Sequence, residues 1–154
     1  MSKQSSEGRA LSRYASRLAA VQALYQITES SSEAELVIQE FINFRIGKEI
    51  EGVVYPSADE SHFKRIVNGV CSKRLELDEL IQETMSEEWK IDRVSTLMLS
   101  ILRAGSFELL EMPDVPSKVV INEYINLAHD FFPSKDASFV NAALDRMAKI
   151  QCND

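Results

Sequence analysis

All four prolines of this chain, Pro56, Pro113, Pro116 and Pro133, fall between segments whose apolar residues recur every three or four positions. A proline inside a helix removes a hydrogen bond and clashes with the turn before it, so prolines kept to the gaps mark where helices end. With only 5 glycines in 154 residues, little of the chain is left for the tight turns of a β fold. Long helices on short connections are what this pattern allows.

The first helix is predicted from about Ala10 to Ile27, with Leu11, Tyr14, Leu18, Val21 and Tyr25 on one apolar face. Ser30, Ser31 and Ser32 break it and offer an N-cap to a second helix from about Glu33, whose buried stripe is Leu36, Val37, Phe41 and Phe44. Gly47 stops that helix. Residues 47–57 read as a loop in which Val53, Val54 and Tyr55 are extended but lack a partner strand. A long third helix follows, from about Ser57 to Met85, and Gly69 in its middle costs about 1 kcal/mol relative to Ala, as a site of close helix packing would. Asp92 is the expected N-cap of a fourth helix, apolar on several sides and therefore central. A fifth is expected from about Ser117 to Phe131, and a sixth from about Ser134 to Ile150, capped by Ser134 with Asp136 in its first turn.

The predicted fold is all-α, with six to seven helices in two packed three-helix-bundle halves. Residues 1–8 are expected to be a disordered basic arm, residues 9–88 an N-terminal bundle and residues 89–154 a C-terminal bundle, together one compact unit. Trp89 stands at that boundary as packing between the halves.

A domain of this size buries roughly 68–70% of its unfolded surface, so it needs no disulfide or metal to hold it. Cys71 and Cys152 match no metal-ligand spacing and read as a thiol on an apolar stripe and a tail thiol. Met1 to Ala10 form no apolar leader, and no run approaches about 18 uninterrupted apolar residues. A reduced, cytoplasmic protein with no membrane contact is expected.

Catalytic chemistry is poorly served. The two histidines, His62 and His129, lack partners at catalytic or metal-binding spacing: Asp59 and His62 are three apart, but the paired Glu-x-x-His motifs of a di-metal bundle are missing. Neither a phosphate-binding P-loop nor a dinucleotide fingerprint occurs. No cofactor and no enzymatic activity are expected.

The net charge of −7 taken alone argues against nucleic acid, but its distribution does not. Residues 1–28 carry Lys3, Arg9, Arg13 and Arg17 against Glu7 alone, a net +3, which leaves −10 for the rest. Arg9, Arg13 and Arg17 recur at i, i+4 and i+8, each step advancing about 40° around a helix. They form a basic ridge suited to phosphates, unless carboxylates elsewhere in the chain balance it. Gln22 and Tyr25 continue from the ridge. A tyrosine there could stack on an unpaired base, worth about 1–3 kcal/mol, although its helical period alone favours half-buried core.

Four segments carry a resemblance. Arg17-Leu-Ala-Ala-Val-Gln-Ala-Leu-Tyr25 resembles the AVQALY opening of the NusB family of bacterial transcription antitermination factors. Ile101-Leu-Arg-Ala-Gly-Ser-Phe-Glu-Leu109, Val115-Pro-Ser-Lys-Val-Val-Ile-Asn-Glu123 and Phe139-Val-Asn-Ala-Ala-Leu-Asp-Arg146 are similar to the family's later blocks, in the family's order. The resemblance implies two three-helix bundles and a non-catalytic role. The chain would bind boxA-type, single-stranded RNA together with a small-subunit ribosomal protein (NusE), within an RNA polymerase antitermination complex acting on ribosomal RNA operons. It places Arg13, Arg17, Gln22 and Tyr25 on the RNA-binding first helix and Lys135, Asp136 and Phe139 beside the RNA surface. Tyr14 and Ala15 stand where some members have arginine, Met98 where some have an acidic residue toward the ribosomal protein, and Ala142 where glycine is usual.

The RNA-binding set is therefore Arg9, Arg13, Arg17, Gln22, Tyr25, Lys135, Asp136 and Phe139. Two other readings compete: an RNA-recruiting module related to the N-terminal domain of ribosomal RNA cytosine methyltransferases, acting in trans, and a helical protein-interaction scaffold. The sequence leaves a homodimer open.

Overall fold

The computed structural model describes residues 6–50, 52–54, 57–85 and 90–152. Among them are seven α-helices: α1 (Ser6–Ser30), α2 (Ala34–Phe44), α3 (Glu60–Ser72), α4 (Arg74–Thr84), α5 (Thr96–Glu111), α6 (Ser117–Phe131) and α7 (Ser134–Cys152). The fold is all-α, as the proline spacing predicts. A two-residue antiparallel hairpin, β1 (Glu49–Ile50) and β2 (Val53–Val54), is the one departure, pairing Glu49 with Val54 and Ile50 with Val53. The partner strand missing from the sequence reading is thus Glu49–Ile50. Gly52 lets the turn close because its φ of +82° lies where side-chain-bearing residues are strained.

The chain divides into two compact units, residues 1–68 and 69–154. The boundary expected at 88/89 therefore moves toward the N-terminus, for a packing reason: α4 contacts α5 and α7 and belongs with the C-terminal helices. Glu87, Glu88 and Trp89 lie outside the described residues, and so do residues 1–5 of the expected arm. Residues 6–8 are already helical in α1.

In the first unit, α1 packs on α2, and the ring of Phe41 in α2 stacks on Phe63 in α3 with centroids 5.8 Å apart. The start of α3 is tied to α1. The Asp59 N–H donates to Ser16 Oγ (3.2 Å) and to the Ser12 carbonyl (3.3 Å), while Asp59 Oδ1 accepts the His62 N–H (3.0 Å). The three-residue spacing of Asp59 and His62 is thus the geometry of an N-cap.

Three further caps differ from the sequence reading. The serine break ends α1 instead of capping α2: Ser31 takes a left-handed φ of +52°, Ser30 Oγ bonds back to the Gln26 carbonyl, and Glu33 stands at the N-cap of α2 without a side-chain bond. Asp92 lies in a 3-10 turn, Ile91–Arg93, and the α5 cap is Ser95, whose Oγ accepts the Met98 N–H at 3.2 Å. At α7 the Pro133 carbonyl accepts the N–H groups of Asp136 and Ala137, with Ser134 already inside the helix.

In the second unit, α5 is the central element. Ile101 through Glu108 are all buried, and α4, α6 and α7 pack on the helix. The long third helix of the sequence reading is two, broken at Lys73 (φ −112°, ψ 19°). The buried positions Val70, Leu77 and Ile81 stay in helical phase across the break, so periodicity gives no sign of it. Arg103 of α5 holds Asp78 of α4 through two hydrogen bonds of 2.7 and 2.9 Å. Arg146 of α7 donates to the Thr84 carbonyl at the end of α4 (2.8 Å), a cation satisfying a helix C-terminus. Cys71, read as a thiol on the apolar stripe, is exposed on α3.

Candidate nucleic-acid interface

The residues expected to meet RNA fall in two groups, one in each unit. In the first, α1 is buried along small residues (Ala15, Ala19, Ala20 and Ala23) together with Val21 and Leu24. Alanines let a neighbouring backbone approach closely, so this face packs although a hydrophobicity pattern favours another. Leu11, on the stripe chosen by period, is 68% exposed.

That choice of face decides the fate of the arginines. Arg9 is exposed, Arg13 is half-buried, and Arg17 is 2% exposed, among the largest fully buried side chains of the protein. Two steps of about 40° carry the row from solvent into the core. The three do not form one open ridge. A buried guanidinium needs interactions within the fold to offset its lost hydration, and Arg17 does make interactions there. Arg9 and Arg13 remain accessible to a phosphate.

Farther along α1, Tyr25 is 40% exposed, more open than its period suggests, and its ring is available for stacking. Gln22 is half-buried in a shallow notch with Leu18, Phe41, Arg45 and Ile46. Arg45 is held in place there: its Nη2 donates to Glu40 Oε1 at 3.0 Å, and its guanidinium lies 4.6 Å from the centre of the Phe41 ring. Gln26 Nε2 donates to the other oxygen of the same carboxylate (3.1 Å). Arg45 is a residue that the sequence reading missed. It lies outside the basic first helix, and only the packing of α2 on α1 brings it beside Gln22.

The second group is brought together more fully. Pro133 starts α7, which sets Lys135 and Asp136 in its first turn and Phe139 one turn later. All three line one cleft of about 570 Å³. Its remaining wall comes from the segment before α5 (Arg93, Val94 and the capping Ser95), from Met98 in the first turn of α5, and from Phe132 and Ser138. Asp136 near the helix N-terminus sits favourably in the macrodipole. Arg93 and Phe132 are cleft residues with no sequence signal of their own, because they come from separate segments, and the sequence marks Met98 only as a departure from the family's pattern.

Asn122 and Asn141, which lie in two of the resembling segments, are exposed within α6 and α7. Among the described residues, no group of three or more His, Cys, Asp or Glu side chains is placed to hold a metal ion, and no helix is long and apolar enough to cross a membrane.

A sequence model of the NusB family matches residues 14–149. Transcription antitermination protein NusB of Allorhizobium ampelinum is 45% identical over 137 residues, which cover 89% of this chain and 86% of that protein. The solved structure of T. maritima NusB superposes with a TM-score of 0.74 at 28% identity, covering 89% of this chain and 90% of that one. A solved complex of antitermination factors NusB and NusE with dsRNA contains a chain that superposes with a TM-score of 0.74 at 20% identity, covering 89% and 96%.

Proposed function

The chain belongs to the NusB family of transcription antitermination proteins, which are not enzymes, and from that membership we propose that it holds boxA-type, single-stranded RNA jointly with the small-subunit ribosomal protein NusE. In this role it promotes read-through by RNA polymerase in ribosomal RNA operons, in the cytoplasm. The observation that carries the reading is the accessibility of Arg9 and Arg13 at the start of α1 in an otherwise acidic chain. Gln22 and Tyr25 extend that contact along α1, and Lys135, Asp136 and Phe139 supply a second contact. Arg17 is left out of the contact set because it is buried. The solved complex of NusB and NusE with dsRNA supports a joint RNA-and-protein role, since its NusB-like chain shares this fold.

Phosphate contacts release counterions, so binding that depends on them weakens steeply with salt. The test is fluorescence anisotropy of the chain with its ribosomal partner, on a boxA-type RNA and on a scrambled RNA of the same composition. Tighter binding to the boxA sequence, falling as salt rises, is expected. Equal affinity for the two RNAs at every salt concentration would reject the reading.

A further inference from the structure

The cleft at the start of α7 joins two kinds of surface that a nucleotide also joins. Val94, Met98, Phe132 and Phe139 supply apolar walls, and the exposed side chains of Arg93 and Lys135 stand at the edge. A volume of about 570 Å³ lies within the roughly 300–1,000 Å³ of small-ligand sites, enough for a base and its sugar. Two hydroxyls and a carboxylate complete the lining. Ser95 Oγ accepts the Met98 N–H and keeps its own O–H to donate, whereas Ser138 Oγ donates to the Ser134 carbonyl and keeps acceptor capacity alone. The ionised carboxylate of Asp136 accepts hydrogen bonds and donates none.

We propose that this cleft seats one unstacked base of the bound RNA strand, and that the base carries an exocyclic amino group. The proposal rests on the RNA-binding reading above. Charge complementarity selects the occupant: a nucleotide is a flat ring joined to an anion, and the cleft is an apolar slot joined to two cations. An aromatic side chain of a protein partner would fill the slot but leave Arg93 and Lys135 unanswered. Asp136 and Ser138 offer acceptors without a free donor, which suits the amino group of adenine or cytosine and opposes the carbonyl oxygen that uracil presents where cytosine has its amino group. Phe132 and Phe139 supply rings against which a base can pack.

The full chain with its ribosomal partner is titrated into boxA-type RNAs that carry 2-aminopurine at one position at a time. One position is expected to change in fluorescence on binding, and uracil placed there weakens binding. Ser138→Trp, at an exposed helix position, fills the cleft; it is expected to abolish that signal and weaken RNA binding roughly tenfold or more while the melting temperature is unchanged. Arg93→Ala, also at an exposed position, is expected to weaken binding without removing the signal, and Asp136→Asn to narrow the discrimination against uracil. RNA that binds wild type and Ser138→Trp equally, with no position-specific response, overturns the proposal and leaves the RNA-binding reading standing. Saturable binding of AMP with no response in RNA also overturns it, because the cleft would then serve a free nucleotide. Failure to bind any RNA removes both readings.

Discussion

Replacing Gly69 by alanine sets two effects of known size against each other. In a helix free of neighbours the exchange favours alanine by about 1 kcal/mol. Here a Cβ on Gly69 would lie 2.1 Å from Cζ of Phe107, 2.2 Å from Cε2 and 2.8 Å from Cε1. Carbon atoms in contact prefer about 3.5–4.0 Å, so the ring has to retreat by more than about 1 Å. Phe107 is 5% exposed and lies within the buried run of α5, which leaves little room for that movement. Overpacking costs about 1–3 kcal/mol, and so large an overlap belongs at the upper end. Subtracting the helix preference leaves a net loss of about 1–2 kcal/mol, or about 2–8 °C in melting temperature for a chain of this size. Thermal unfolding followed by circular dichroism, on Gly69→Ala, Phe107→Leu and the double variant, separates the terms. In the Phe107→Leu background the ring is gone, and Gly69→Ala is expected to be neutral or stabilising. A single alanine variant that melts at or above wild type, with no coupling to Phe107, would refute the close-packing argument.

Other substitutions test other parts of the structure. Arg17→Ala is expected to lower stability by about 2 kcal/mol or more in urea unfolding, because it empties a fully buried site; unchanged stability with weakened RNA binding would return Arg17 to the contact set. Asp78→Ala leaves Arg103, whose side chain is 5% exposed, without its bidentate partner. A loss of about 2–4 kcal/mol is expected, discounted from the cost of a fully buried pair because Asp78 is 23% exposed. Although Cys71 lies on an exposed position of α3, partial desolvation of its sulfur pushes the thiol above its ordinary value, against the opposing pull of Arg74 and Arg103. In a Cys152→Ser background, alkylation of Cys71 is therefore expected to reach half its maximal rate at a higher pH than that of a free cysteine peptide, and a midpoint at or below the free value would contradict that.

Helix order was legible because prolines and apolar period act locally. The caps were less so. Ser30 to Ser32, Asp92 and Ser134 all have cap-forming side chains, but the chain uses Ser95 and the Pro133 carbonyl, and which candidate is used depends on the turn that precedes it. The break at Lys73 left no trace, since the buried positions stay in phase through it. On α1, periodicity favoured Leu11 and Tyr25, while the structure buries the alanine face with Arg17 in it. A scale that ranks side chains by hydrophobicity undervalues alanine where close approach decides the packing. Lys135, Asp136 and Phe139 were found through resemblance, and they do share one cleft. Arg93 could not join them on paper, because the 3-10 turn that holds it has no periodic signal, and Met98 belongs to the separate helix α5.

The salt dependence of RNA binding, compared between wild type and the Arg9→Ala/Arg13→Ala double variant, tests most directly whether the open start of α1 holds phosphates. On a single-stranded RNA each lost phosphate contact lowers the slope of log K against log salt by about 0.7, so a fall of about 1.4 is expected, with the melting temperature unchanged. Identical slopes and affinities for the two proteins would contradict the account.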